Sequence, residues 1–213
     1  MQNLNTRAQG PLFPARILSN SLVFDTILDF ATPGTIARLE RTCRSAKDLV
    51  ESYKIRAFNI NHSLRRFFSQ PLAFRSLQAE TGMLISGSFA LQFLERTIYI
   101  GADMDLYCFF GDREQIGLWL IETQGYMFVH NSRQNPDFKV AVTEAPDIEA
   151  DPYSRMRGIS TVYTFTKPSG RPEDDLLKVQ LIVTYRSPME AILNFHSSMS
   201  CFIRHLHGML TRC

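Results

Sequence analysis

Two acidic residues stand one position apart in the apolar run "DMDLYCFF", and they are Asp103 and Asp105. In an extended strand, alternate side chains point to the same face at a spacing of about 6.5 Å. Two such carboxylates repel each other, and their burial costs free energy unless a cation lies between them. Mg²⁺ suits that place, because proteins bind it with one or two carboxylates together with phosphate oxygens. Asp103 and Asp105 are therefore the candidate catalytic and metal-binding residues.

A glycine-serine pair precedes these acids in "LISGSFALQF", at the junction between an apolar run and a helix-like segment. Glycine lets the backbone approach a ligand closely, and the free N–H groups at a helix start attract anions. Gly87 and Ser88 are therefore candidate nucleotide-binding residues, from which a triphosphate could reach a metal on the acidic strand. Each motif alone has an ordinary structural explanation, a helix cap or a solvated strand face. Their combination in this order favours the functional hypothesis.

The combination resembles the nucleotidyltransferase superfamily of the DNA polymerase beta type. In that family a Gly-Ser turn between a strand and a helix precedes an acid-x-acid strand, as Gly87-Ser88 precedes Asp103-Met104-Asp105 here. The resemblance covers roughly residues 78–202. It implies a mixed sheet flanked by helices, a nucleoside triphosphate as ligand, and Mg²⁺ ions held by three acids.

The third acid of that family lies in a later apolar strand, and here the matching segment is "LLKVQLIVT", residues 176–184. Its central polar residue is Gln180, which cannot supply a negative charge. A slipped strand could instead bring Asp175 to that position. With Gln180 in place, we expect Mg²⁺-nucleotide binding with weak or absent nucleotidyl transfer.

The segment "LVFDTILDFATPGTIARLERTCRSAKDLVES" resembles an F-box. Its matching residues are Ile27-Leu28, Ile36, Leu39, Cys43-Arg44 and Leu49. The resemblance implies docking of a Skp-type adaptor of cullin ubiquitin ligases through residues 21–60, and hence a non-catalytic adaptor as the alternative function. A helical cap that packs on the sheet domain explains the same pattern. The whole chain resembles fungal proteins that join such a start to the "ISGSFALQF" segment.

Hydrophobic spacing predicts an α+β protein. Together with the two resemblances it gives three parts: a flexible arm (1–20), a helical F-box-like unit (21–69) and a nucleotidyltransferase-like domain (70–213). In the helical unit, Thr32 and Pro33 predict a helix start, and apolar positions from Leu49 to Phe67 predict one continuous helix. In the sheet domain, the predicted strands are residues 83–86, 104–110, 126–129, 138–143, 159–167 and 176–184.

The composition places few further limits on function. The chain has 213 residues, is 45% hydrophobic and carries a net charge of +2, which gives no overall case for nucleic-acid binding. The four cysteines form no metal-binding or disulfide pattern, and free thiols fit the cytoplasm or the nucleus. Neither a signal peptide nor a membrane span is expected.

Overall fold

The computed structural model describes residues 20–144, 158–171 and 174–194. The chain forms two compact units that divide between Asn59 and Ile60. The boundary expected from the sequence, at residues 69 and 70, stays a prediction. The predicted flexible arm lies, apart from its last residue, outside the described part of the chain. None of the described helices is long and apolar enough to cross a membrane.

Between residues 20 and 59, the first unit forms three helices, which are α1 (Ser21–Asp29), α2 (Pro33–Glu40) and α3 (Arg44–Ala57). The predicted start of α2 is confirmed, because the Thr32 hydroxyl accepts a hydrogen bond from the Thr35 N–H and Pro33 takes the first helical position. The buried side chains of all three helices meet in one core, formed by Phe24, Leu28, Ile36, Val50 and Tyr53.

The other described helices and strands belong to the second unit. Its helices are α4 (Ile60–Leu64), α5 (Pro71–Thr81), α6 (Gly87–Glu95), α7 (Arg113–Leu118), α8 (Phe138–Ala141) and α9 (Pro188–Leu193). Its strands are β1 (Leu84–Ser86), β2 (Met104–Phe109), β3 (Met127–Val129), β4 (Ile159–Arg171) and β5 (Asp174–Thr184). The predicted continuous helix from Leu49 to Phe67 is wrong, because Phe58 leaves the helical conformation and separates α3 from α4.

The five strands form one mixed sheet in the order β1-β2-β5-β4-β3. Strands β2 and β5 are parallel, whereas the other three pairs are antiparallel. The register places Asp105 between Ser86 on β1 and Gln180 on β5. The predicted α+β architecture, a mixed sheet with helices around it, is confirmed at this level.

The two faces of the sheet differ in polarity. One face is mostly apolar along its central strands and forms the core of the unit, with Met104, Leu106, Phe165, Val179 and Leu181 completely buried. The other face is apolar only where α9 packs on it, against Leu84, Tyr107 and Ile182. Beyond α9 this face becomes polar, because it carries Asp105 on β2, Lys178 and Gln180 on β5, and Thr164 on β4.

The strand predicted over residues 138–143 is wrong, since residues 138–141 form the short helix α8. The Asp137 side chain accepts a hydrogen bond from the Lys139 N–H and so caps this helix. The Phe138 ring then packs edge-on against the rings of Tyr163 and Phe165 on β4. A local cap and an aromatic contact therefore override the alternating pattern of "FKVAVT".

Candidate functional site

Gly87 begins α6 directly after β1, and its backbone has a φ of +67°, which favours glycine. A Cβ atom at this position would lie 1.9 Å from Oδ2 of Asp105. The carboxylate of Asp105 therefore lies against the bare Cα of Gly87. This contact follows from the register, because Ser86 is the direct antiparallel partner of Asp105. A side chain at position 87 would collide with the acid on the neighbouring strand.

Ser88 lies in the first turn of α6, and its hydroxyl donates a hydrogen bond to the backbone carbonyl of Asp103 at 3.0 Å. The capping position belongs to Ser86, so Ser88 does not cap the helix. Its side chain instead joins the helix start to the residue before β2. The structure thus brings the two sequence motifs together, with Gly87 against one acid and Ser88 bonded to the backbone of the other.

Asp105 holds its carboxylate in an unfavourable environment. Its Oδ1 atom is buried and has no hydrogen-bond partner among the described residues. Burial, and then the negative charge of Asp103, raise the pKa of Asp105 to about 6, while the positive charge of Lys178 acts in the opposite direction. Near neutral pH the side chain therefore carries a charge that a hydrogen-bond donor or a cation would stabilise.

Asp103 has a partner that the sequence analysis missed. Its Oδ2 atom lies 2.6 Å from Nζ of Lys178, and the two side chains are 31% and 38% exposed. Lys178 stands two positions before Gln180 on β5, so strand alternation places both side chains on one face. A lysine within the apolar segment "LLKVQLIVT" is visible in the sequence. Only the pairing of β5 with β2 shows that this lysine contacts Asp103.

Gln180 lies directly beside Asp105 on the parallel strand β5. A carboxamide therefore occupies the place next to the acid-x-acid pair. Asp175 stands five residues earlier on the same strand, at a distance of about 16 Å along it, and its side chain is exposed. The slipped register that would bring Asp175 to the acids is not the one adopted.

The oxygen donors at this place suit one hard cation. They are the carboxylates of Asp103 and Asp105 and the carboxamide of Gln180, and Lys178 already balances part of the negative charge. Within residues 20–144, 158–171 and 174–194, no three His, Cys, Asp or Glu side chains come together as a metal-binding group. A site for two divalent ions would need more negative charge than these residues supply.

Four of the F-box-like residues of the first unit lie in or against its core, whereas Ile27 is 49% exposed. Leu28 and Ile36 are buried in its core, and Leu39 and Leu49 pack against that core. The outward residues form a surface that we call the α1 apolar face. It consists of Leu22, Val23, Ile27 and Phe30, of which Leu22 is 78% exposed and Phe30 is 88% exposed.

Comparison of the chain with protein-family models, with curated proteins and with solved structures finds no match. The likeness to nucleotidyltransferases therefore depends on the Gly-Ser turn, the acid-x-acid strand and their order along the chain. The likeness to F-box proteins depends on apolar positions in the three N-terminal helices. The functions that these likenesses imply are taken up as proposals.

Proposed function

We propose that the sheet unit binds a nucleoside triphosphate together with Mg²⁺. The phosphates would lie at the start of α6, beside Gly87 and Ser88, and the cation would be held by Asp103 and Asp105. The observation that carries this proposal is the buried Oδ1 atom of Asp105, which lacks a hydrogen-bond partner among the described residues. Buried polar atoms are ordinarily satisfied, and a cation would supply the missing interaction.

The positions of the two motifs support the same proposal. Gly87 leaves the backbone open beside the carboxylate of Asp105, at the start of a helix. The first N–H groups of a helix have no carbonyl partner within it and so favour an anion. Gln180 lies beside Asp105 on the neighbouring parallel strand, which supports the proposal that it stands where the family has its third acid.

We further propose that nucleotidyl transfer is slow or absent. A bound Mg²⁺ would neutralise phosphate charge and polarise a phosphoryl oxygen, and transfer through two metal ions requires a second ion opposite it. Gln180 offers a neutral oxygen where a third carboxylate is expected. Lys178 is already paired with Asp103, which leaves less negative charge for a second ion.

Calorimetry of the full chain with MgCl₂ and a non-hydrolysable ATP analogue tests this function. We expect binding to the wild type, at least a tenfold loss of affinity in Asp103→Asn and Asp105→Asn, and no change in the control Asp175→Asn. The control removes an exposed carboxylate from the far end of β5. Absence of binding with either Mg²⁺ or Mn²⁺ would refute the proposal. Robust transfer by the wild type, lost in Asp103→Asn, would refute its second part.

A second function is favoured by the α1 apolar face. Single exposed apolar residues are common on protein surfaces. Here, however, Val23, Ile27 and Phe30 follow at helical spacing and so share one side of a short helix. We propose that this face, which includes Ile27 of the F-box pattern, docks a Skp-type adaptor. The other apolar residues of that pattern hold the unit together from inside.

A binding assay with a purified Skp-type adaptor tests the second function. Ile27→Asp and Phe30→Asp should abolish binding, because each places a charge in the apolar contact. Thr26→Asp, an exposed position on the same helix, is the matched control and should bind like the wild type. Equal binding by all four proteins, or no binding by a folded wild type at micromolar concentration, would favour the helical-cap interpretation.

A further inference from the structure

Lys178 lies where a cation would be expected beside the two acids. Its Nζ atom is 2.6 Å from Asp103, and its charge also acts on Asp105. It shares a strand face with Gln180, whose neighbour on β2 is Asp105. A lysine ammonium is a compact positive charge on a flexible stem, so it can move between neighbouring oxygen partners.

The neighbours of Lys178 are polar on both sides. Thr166 on β4 pairs with it directly, and Thr164 on the same strand pairs with Gln180. Both threonines and Gln180 are partly exposed, so the lysine lies on the open part of this sheet face and away from α9. An anion that reached the acids from the solvent side would meet this ammonium group at the same place.

We infer that Lys178 is a built-in cation which replaces one of two divalent ions, so that the sheet unit binds a nucleoside triphosphate with a single divalent ion. This inference rests on the proposed nucleotide-binding function. When the triphosphate binds, the ammonium group contacts a phosphate oxygen, and one divalent ion takes the carboxylate oxygens. An ion pair that only stabilised the fold would leave the number of bound divalent ions unaffected by removal of the lysine.

The replacement of Lys178 therefore has two consequences. In Lys178→Met, the place that the ammonium group takes between Asp103 and the phosphate oxygens becomes available to a second divalent ion. The same variant loses the positive charge that would hold the triphosphate when no metal is present. We expect the wild type to bind the triphosphate measurably in EDTA, and we expect Lys178→Met to bind it at least tenfold more weakly under the same condition.

Counting bound Mn²⁺ tests the inference directly. The full-length chain is dialysed against Mn²⁺ with a saturating non-hydrolysable ATP analogue, and the metal bound per chain is measured. We expect one Mn²⁺ in the wild type and two in Lys178→Met. Lys178→Arg keeps the charge and should bind one. Lys139→Met is the matched control, because it removes a lysine from another ion pair, with Glu122, and should also bind one.

The outcomes separate the inference from the proposed function. Two Mn²⁺ ions in the wild type, or one in a folded Lys178→Met, would overturn the inference while nucleotide binding stands. If Lys178→Met does not fold, Lys178→Arg serves as the test. Two Mn²⁺ ions bound per chain of Lys178→Arg would also overturn the inference. A wild type that binds no triphosphate in Mn²⁺ would overturn the proposed function and the inference with it.

Discussion

Gly87 and Asp105 depend on each other at the scale of single residues. The acid lies so close to the glycine Cα that no side chain fits there, and the positive φ of Gly87 disfavours other residues independently. The sequence alone identified both residues as candidates for the site, because a Gly-Ser turn and an acid-x-acid strand are local patterns. It could not show their contact, or the ion pair of Asp103 with Lys178, since both depend on strand pairing between distant segments.

Replacement of Gly87 by alanine should therefore lower the free energy of unfolding by more than the positive φ alone explains. A non-glycine residue at positive φ costs about 1–2 kcal/mol, and the contact with Asp105 adds to this. Gly125→Ala is the matched control, because Gly125 has a φ of +70° and a Cβ atom there would meet nothing within 4 Å. Urea unfolding should show a larger loss for Gly87→Ala. In an Asp105→Ala background the loss should fall to that of the control; an unchanged loss would rule out the steric contact.

The raised pKa of Asp105 predicts how stability depends on pH in metal-free buffer. The folded protein holds this proton more tightly than the unfolded chain does, with a pKa of about 6 against 3.8. Protonation of Asp105 therefore adds to the free energy of unfolding. This added stability is complete below pH 4 and is lost as the pH rises through 6. Asp105→Asn should be more stable than the wild type at pH 8, by up to about 3 kcal/mol. The two proteins should converge toward pH 4, and parallel stability curves would contradict the assignment.

At the scale of elements, the pairing of β2 with β5 positions the candidate site. The sequence predicted the strand-helix-strand order from residue 83 onward, because each element carries its own periodicity. It failed at residues 138–143, where a capping carboxylate and aromatic packing produce a helix. It also missed the break after Ala57, since the apolar spacing continues across the non-helical residue Phe58.

Gln180→Glu tests the register at this scale. A glutamate there lies on the strand beside Asp105, about 5 Å away, so it should lower the melting temperature in metal-free buffer through charge repulsion. It should also tighten Mg²⁺ binding at least tenfold. Thr164→Glu is the control, because Thr164 is one strand farther from the acid. Thermal melts with and without Mg²⁺ measure both effects. An equal Mg²⁺ response in the two variants would contradict a metal site formed by Asp105 on β2 and residue 180 on β5.

At the scale of the whole molecule, each of the two units has its own apolar core. The first unit has its own apolar cluster, and the sheet unit is built around the buried face of its strands. Residues 1–80 carry 11 basic and 6 acidic side chains, whereas the remainder has more acidic than basic ones. Because residue 80 lies inside the sheet unit, this contrast does not follow the division between the two units.

Two matched substitutions should separate the units thermodynamically. Leu28 and Leu181 are both buried, one in each unit, and a leucine-to-alanine change in a core costs about 2–5 kcal/mol. Trp119 is the only tryptophan and packs against Phe68 in the sheet unit, so its fluorescence reports on that unit. Leu181→Ala should shift the fluorescence transition, whereas Leu28→Ala should shift only a separate transition seen by circular dichroism. A shared shift would show that the units unfold together.

The central claim is that the Gly-Ser turn and the two acids form one nucleotide site. A crystal structure of the full chain with Mg²⁺ and a non-hydrolysable triphosphate tests it most directly. We predict phosphate density beside Gly87 and Ser88, one Mg²⁺ on the carboxylates of Asp103 and Asp105, and Nζ of Lys178 on a phosphate oxygen. A triphosphate bound elsewhere, or an empty site in crystals grown at saturating ligand, would contradict the account.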